Sequence, residues 1–143
     1  MKKFLLIILG VILFAGSAFA LGVKVISVEG AVEVTLQETM KPQKPKVDMI
    51  LSEGTKIITK EKSLIVLAFN FDATNMVKVS ENSNVVLKLD GPDMIELIDG
   101  ELFALLKNLR KGETFQVRTP SAVCGARGTG WQMSTHGKVT NVS

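Results

Sequence analysis

The residues best suited to chemistry lie near the C-terminal end of this 143-residue chain. Residues 125–130 read Gly-Ala-Arg-Gly-Thr-Gly, and glycines beside a cation can cradle a phosphate. The run lacks the Gly-Lys-Ser/Thr ending of a P-loop, and no helical pattern follows it to supply a dipole. We therefore interpret it as a glycine-rich turn between strands.

Ser134 and His136 form a second candidate pair, because residues two apart in a strand face the same way. No acidic residue lies near them in sequence to orient the histidine as a base. The chain has one His and one Cys, which excludes a multi-histidine metal centre and a Cys-based zinc site. We predict that the protein is not an enzyme and has no catalytic, cofactor-binding or metal-binding residues.

Two other features have ordinary explanations. Cys124 sits in an apolar run, which predicts a buried small residue; the alternative is an intermolecular disulfide in an oxidising compartment. Residues 38–48 contain two prolines and read as an exposed loop. Its lysines, Lys41, Lys44 and Lys46, are therefore expected to be solvated rather than to form a binding patch.

The first twenty residues have the three parts of a secretory signal. A basic start from Met1 to Lys3 precedes an apolar run at 4–16, and Ala18 and Ala20 are the small residues that signal peptidase reads. The apolar run is shorter than the ~20 residues that span a bilayer, which disfavours an uncleaved anchor. We predict a signal peptide at 1–20, one domain at 21–143, and a periplasmic or secreted location.

Cleavage changes the charge balance of the chain, which has 17 basic and 14 acidic residues in full. Loss of Lys2 and Lys3 leaves 15 basic residues and a net charge of +1. A nearly neutral domain lacks the electrostatic footprint of a nucleic-acid binder. No later segment is apolar enough to cross a membrane, so membrane contact is expected only through an uncleaved signal segment.

The rest of the chain reads as short strands separated by turns. Alternating apolar residues flank Glu29-Gly30, which predicts a hairpin or a tight corner there. Further β-rich runs occupy residues 63–71, 76–79, 85–89, 94–98, 114–118, 122–126 and 131–135. Acidic-Gly pairs recur at Glu29-Gly30, Glu53-Gly54, Asp90-Gly91 and Asp99-Gly100, where Gly allows a positive φ. The predicted fold class is all-β, either a β-solenoid of short strands or a sandwich.

One segment conflicts with this prediction. Four leucines in residues 101–111 recur with helical spacing, and Asp99 and Gly112 are suitable caps. The corner before this segment is similar to the one before Ala31, which favours a strand through Leu106. We predict the strand, and the helix is the alternative.

Residues 115–131 resemble the signature of the FecR domain family, which is named after the periplasmic regulator of ferric citrate transport. The family pattern runs Phe-x-Val-x-Thr-Pro, a small residue, Ala, two apolar residues, Gly-Val-Arg-Gly-Thr and an aromatic. Residues 53–59 and 96–103 look like two further family stretches, and the resemblance covers residues 23–135. The matching signature positions are Thr119, Pro120, Ala122, Gly125, Arg127, Gly128, Thr129 and Trp131.

We expect these signature positions to be mainly structural. Pro120 lacks an amide N–H and suits a strand start or a corner. The Arg127 guanidinium can hold carbonyls or a carboxylate, while Gly128 permits the bend. Trp131 is expected in the core or in a seam, and it would be a binding hot spot if it were exposed.

The resemblance implies an exported, non-catalytic module that binds a protein partner in envelope signalling or assembly. Because only Met1 to Lys3 precede the apolar run, we expect no counterpart here to the cytoplasmic segment of the family regulator. The alternative is therefore a structural or wall-associated envelope protein. The chain also stops at Ser143, directly after the expected strand 138–142. Either the domain is truncated, or this edge pairs with a partner or with a second copy of the chain.

Overall fold

The computed structural model describes residues 22–69, 73–90, 94–107, 115–126, 130–137 and 139–143, and the signal-peptide prediction lies outside these ranges. The described residues form thirteen strands and no helix, which confirms the all-β class. The strands are β1 (Val23–Glu29), β2 (Val32–Thr35), β3 (Pro42–Gln43), β4 (Ile50–Leu51), β5 (Lys56–Thr59), β6 (Leu64–Ala68), β7 (Asn75–Val79), β8 (Asn84–Lys88), β9 (Met94–Leu106), β10 (Phe115–Arg118), β11 (Val123–Ala126), β12 (Gly130–His136) and β13 (Val139–Val142).

The strands form one curled sheet in the order β3-β2-β5-β8-β9-β7-β6-β1-β4. β9 is shared by two arms: its first half pairs with β8 and β10, and its second half pairs with β7 and β12. Every described pair is antiparallel except β9 with β10. This pairing is unlike the parallel coils of a β-helix, and the sheet curls into the shape of a half-barrel.

The core lies inside the curl and follows the two-residue period of a strand. In β1 and β2, Val23, Val25, Val32 and Val34 are buried, whereas the residues between the members of each pair are exposed. These side chains belong to one hydrophobic cluster that draws on both arms. Burial on one face fixes the register, because a slip of one residue would turn each valine outward.

The turn at Glu29-Gly30 is a corner rather than a hairpin. β1 pairs with β4 and β6, whereas β2 pairs with β3 and β5, so the chain changes arms at Gly30. Similar corners occur between β5 and β6, between β7 and β8, and inside β9 at Asp99-Gly100. Gly30, Gly54 and Gly100 have positive φ, as the acidic-Gly pattern predicts, and Gly91 lies outside the described residues.

The four corners form two matching pairs. The Ala31 N–H donates to Ser63 Oγ at 2.8 Å, and the Glu101 N–H donates to Ser83 Oγ at 3.0 Å. Each serine hydroxyl also donates, at 3.0 Å, to the carbonyl of a glutamate two residues earlier. The residue before each serine, Lys62 or Asn82, has a positive φ. The chain therefore contains an internal repeat in which the second half of β9 corresponds to β2.

The sheet tests two predictions, the strand at residues 101–106 and the exposed loop at residues 38–48. Residues 101–106 belong to β9 and pair on both sides, with β7 and with β12, so the strand prediction is confirmed and the helix alternative is wrong up to Leu106. Its remaining residues from 108 onward lie outside the described ranges. The stretch 38–48 is mostly exposed, as expected, but it contains the two-residue strand β3, and Pro45 is buried.

Candidate functional site: the C-terminal hairpins

The FecR-like signature lies on two hairpins that flank β9. β10 runs parallel to the first half of β9 and turns back into β11, whereas β12 runs antiparallel to the second half and turns back into β13. In the first turn the Thr119 N–H donates to the Ala122 carbonyl at 2.8 Å. Pro120 occupies the second position of this turn, where its fixed φ is suitable and no N–H is needed. The structure thus places Pro120 in a turn, in line with the expected corner.

A cluster of four hydroxyl groups, which we call the hydroxyl latch, joins the two turns. Its members are Thr119, Ser121, Thr135 and Thr140. Thr140 Oγ1 lies 2.7 Å from Thr119 Oγ1 and 2.6 Å from Ser121 Oγ, and it donates to Thr135 Oγ1 at 3.2 Å. Thr119 Oγ1 also accepts the Ala122 N–H at 3.0 Å. Thr119 is 4% exposed and Thr135 is fully buried, so the latch fixes one hairpin against the other.

Of the Ser134–His136 pair, His136 contacts an acidic residue of β9. His136 Nδ1 lies 3.6 Å from Asp99 Oδ1, an acid from another strand that proximity in sequence does not reveal. Both side chains of this contact are more than half exposed. Within the described part of the chain, no hydrogen bond joins Ser134 to His136. A base that neither contacts its nucleophile nor lies in a water-excluded pocket gives no support to hydrolysis.

The remaining signature positions have different outcomes. Arg127, Gly128 and Thr129 lie outside the described residues. The backbone of Trp131 pairs with Ala104 in β9, and its side chain is not among those described. Gly125 is exposed opposite Gln116, and a Cβ there would meet only an ordinary contact at 4.0 Å. The described backbone therefore does not require glycine at position 125.

β11 and β13 are edge strands, since β11 pairs only with β10 and β13 only with β12. Val123 is 54% exposed, Val139 61% and Val142 51%. Neither strand contains a charged residue or a proline, the devices that commonly protect an edge from further pairing. By contrast, β3 on another edge is two residues long and contains Pro42. The two C-terminal edges are thus chemically open to an additional strand.

The latch and these edges also show what the sequence could not reveal. Thr119 is a signature position, but Thr135 and Thr140 carry no signal of their own. They face each other across β12 and β13, and only the register of that hairpin brings them to Thr119. Cys124 is free and packs against the core from β11, but it is only half-buried, so it is less buried than the sequence predicted.

The described ranges contain no group of three His, Cys, Asp or Glu side chains that could hold a metal ion. Among the same residues, no helix is long and apolar enough to cross a membrane. The sequence model described as FecR protein matches residues 55–143, which is 89 of the 143 residues. No curated protein and no solved structure gives a significant match to the chain.

Proposed function

Because the chain belongs to the FecR protein family, we propose that it is an exported, non-catalytic module that binds a protein partner in envelope signalling or assembly. The family is associated with regulators of envelope signalling. Residues 55–143 include all of the C-terminal hairpins, so the matched region contains the open edges β11 and β13.

The proposal rests on one observation: the two uncharged edge strands, β11 and β13, expose apolar side chains. An open edge strand offers its free N–H and C=O groups to an incoming strand, and the side chains beside it set specificity. Val139 and Val142 on β13 supply such side chains, and so does Val123 on β11. The incoming strand belongs to an envelope protein, or to a second copy of this chain when β13 self-associates.

Site-specific photo-crosslinking tests the proposal in cells that export the protein. A photoreactive amino acid at Val139 is expected to give one discrete adduct, whose mass identifies either a partner or a dimer. Ile50 is the matched control, because it is an exposed apolar residue, 56% accessible, on the separate edge strand β4. We also expect Val139→Lys to weaken self-association in sedimentation, because it adds charge to the edge.

Equal labelling from Val139 and Ile50, with no discrete adduct at either, would contradict a specific protein partner. Co-sedimentation of the protein with purified peptidoglycan, unaffected by Val139→Lys, would instead favour the structural, wall-associated alternative. Both outcomes leave the fold intact, so they report on function alone.

A further inference from the structure

Residues 40–48, which we call the basic segment, connect the two ends of the curled sheet. The segment contains β3 and leads into β4, and these two strands are the opposite ends of the strand order. Pro45 is buried, and Met49, directly after the segment, packs against the core. All other residues of the segment are exposed. The basic segment is therefore attached to the sheet on its inner side and open to solvent on its outer side.

Two large apolar side chains of the basic segment project into solvent. Met40 is 73% exposed, the highest value among the exposed apolar side chains of the described ranges, and Val47 is 57% exposed. Both lie at turns. The Met40 N–H donates to the Leu36 carbonyl at 2.9 Å, and the Met49 N–H donates to the Lys46 carbonyl at 3.1 Å, across Val47. Met40 and Val47 are thus held out from the surface by hydrogen-bonded turns.

Further contacts fix both turns to the sheet. The backbone at Met40 has a φ of 53°, a left-handed conformation that is uncommon for a residue with a large side chain. Ser52 Oγ, directly after β4, donates to the Glu38 carboxylate at 3.2 Å. The Asp48 N–H donates to the Val25 carbonyl in β1 at 2.8 Å. Because both turns are already ordered, little conformational entropy is lost when they bind a surface.

The charges of the basic segment favour an anionic partner. Both nearby acidic side chains are already engaged, since Asp48 pairs with Lys24 at 3.1 Å and Glu38 accepts the hydrogen bond from Ser52. Three lysines of the segment are exposed and belong to no ion pair within the described ranges, namely Lys41, Lys44 and Lys46. The segment therefore carries a local excess of positive charge.

Lysines beside exposed apolar side chains suit the surface of an anionic bilayer. The ammonium groups contact lipid phosphates, and the apolar side chains enter the boundary between head groups and acyl chains. Met40 adjoins Lys41, and Val47 adjoins Lys46. Neither apolar residue lines the groove of about 460 Å³ that residues 42–45 help to form. Two apolar side chains that project separately fit a fluid surface better than a partner of fixed shape.

We infer that the basic segment binds the surface of a bilayer that contains anionic phospholipid, with its three lysines on the phosphates and with Met40 and Val47 inserted. This inference goes beyond the proposed function, because neither β11 nor β13 pairs with the segment. It also adds to the sequence prediction, which expects membrane contact only through an uncleaved signal segment. Such binding would hold the exported domain at a membrane and leave β11 and β13 free.

The test measures binding of the exported protein to vesicles of phosphatidylglycerol and phosphatidylcholine in equal amounts. Binding should be saturable, should weaken as salt is raised, and should be much weaker with phosphatidylcholine alone. Lys41→Glu, Lys44→Glu and Lys46→Glu are combined in one variant. Because each lysine contributes about fivefold to binding near an anionic surface, this variant should bind about a hundredfold more weakly or less.

A second triple variant is the matched control. Lys56→Glu, Lys78→Glu and Lys107→Glu make the same change in net charge at exposed lysines that also lack an ion pair within the described ranges. This control should retain most of the binding. An unchanged urea midpoint shows that each variant is folded. Equal losses from the two triple variants would overturn the inference, because binding would then depend on net charge alone.

Insertion is tested separately. Met40→Ser combined with Val47→Ser should weaken vesicle binding several-fold, whereas Val123→Ser combined with Val142→Ser should not. In the ¹⁵N-labelled protein, a nitroxide-labelled lipid should broaden the amides of residues 40–41 and 46–47 most strongly.

Three results would overturn the inference. The first is a folded protein that does not bind the anionic vesicles, including one whose basic segment instead retains a soluble acidic protein. The second is a Met40→Ser, Val47→Ser variant that binds as well as the parent. The third is broadening centred elsewhere; if it were confined to residues 1–21, the membrane contact would belong to an uncleaved signal segment. None of these results bears on β11 or β13, so the proposed function is tested independently.

Discussion

At the residue scale, two glycines and two serines define the corners between the arms. Gly100 has a φ of +104°, and a Cβ there would collide with Ser83. Gly30 has the same relation to Ser63. Each serine hydroxyl in turn binds the amide that follows the glycine. The glycine is therefore required both by its own backbone and by the serine that must approach it.

Gly100→Ala is expected to destabilise the domain by about 1–3 kcal/mol, because L residues rarely adopt this φ and Ser83 would have to move. Urea unfolding measures the loss as a lower midpoint. Gly125→Ala is the control: Gly125 is exposed, and its new Cβ would meet only an ordinary contact, so its effect should stay within about 0.5 kcal/mol. Equal midpoints for the two variants would show that the corner tolerates a side chain.

The sequence predicts the glycine of each corner but not the serine that contacts it. The acidic-Gly pairs predict Gly30 and Gly100, because a positive φ is a local property. Ser63 lies 32 residues from Ala31, and nothing in the intervening sequence connects them. The serine partners become visible only when strand register is known.

At the element scale, the hydroxyl latch connects the two C-terminal turns. Thr140 is its centre, with contacts to Thr119, Ser121 and Thr135. The strands that carry these residues follow from alternation and turn residues, as the sequence predicts. Their edge positions do not, because pairing order depends on contacts between distant segments.

Thr140→Val keeps the shape of the side chain and removes the shared hydroxyl. We expect a loss of about 1–3 kcal/mol, since the hydroxyls of Thr119 and Thr135 are buried and would lose a partner. Thermal or urea unfolding provides the measurement. Thr35→Val makes the same chemical change in β2, where no described side-chain hydrogen bond involves Thr35, and should have a much smaller effect. A latch variant as stable as this control would mean that the hairpins are held by other contacts.

At the scale of the whole molecule, the all-β fold follows from composition and period, whereas the curl does not. A two-residue alternation fixes which face of each strand is buried, and turn residues fix where strands end. Whether the strands stack as coils or curl into an antiparallel sheet depends on which strands pair. The single long strand β9 decides this, and its leucine spacing also suits a helix.

Export is the prediction that concerns the whole chain. Protein recovered from the periplasmic fraction should begin at Leu21, because Ala18 and Ala20 match the residues that signal peptidase reads. N-terminal sequencing or intact mass measures this. Replacement of both alanines by lysine should leave the full-length precursor. A periplasmic protein that still begins at Met1 would contradict cleavage at this site.

β9 is a strand on which both arms of the molecule depend. Its first half completes one arm and its second half completes the other, so opening either arm frays the strand on which both depend. We therefore expect the two arms to unfold together and the amides of β9 to be among the slowest in hydrogen exchange. The order in which strands can pair during folding also depends on β9. β2 and β5 can meet early, but β7 and β8 lack their common neighbour until residues 94–106 are available. A chain that is threaded unfolded across a membrane would thus close late, after most of its length has emerged.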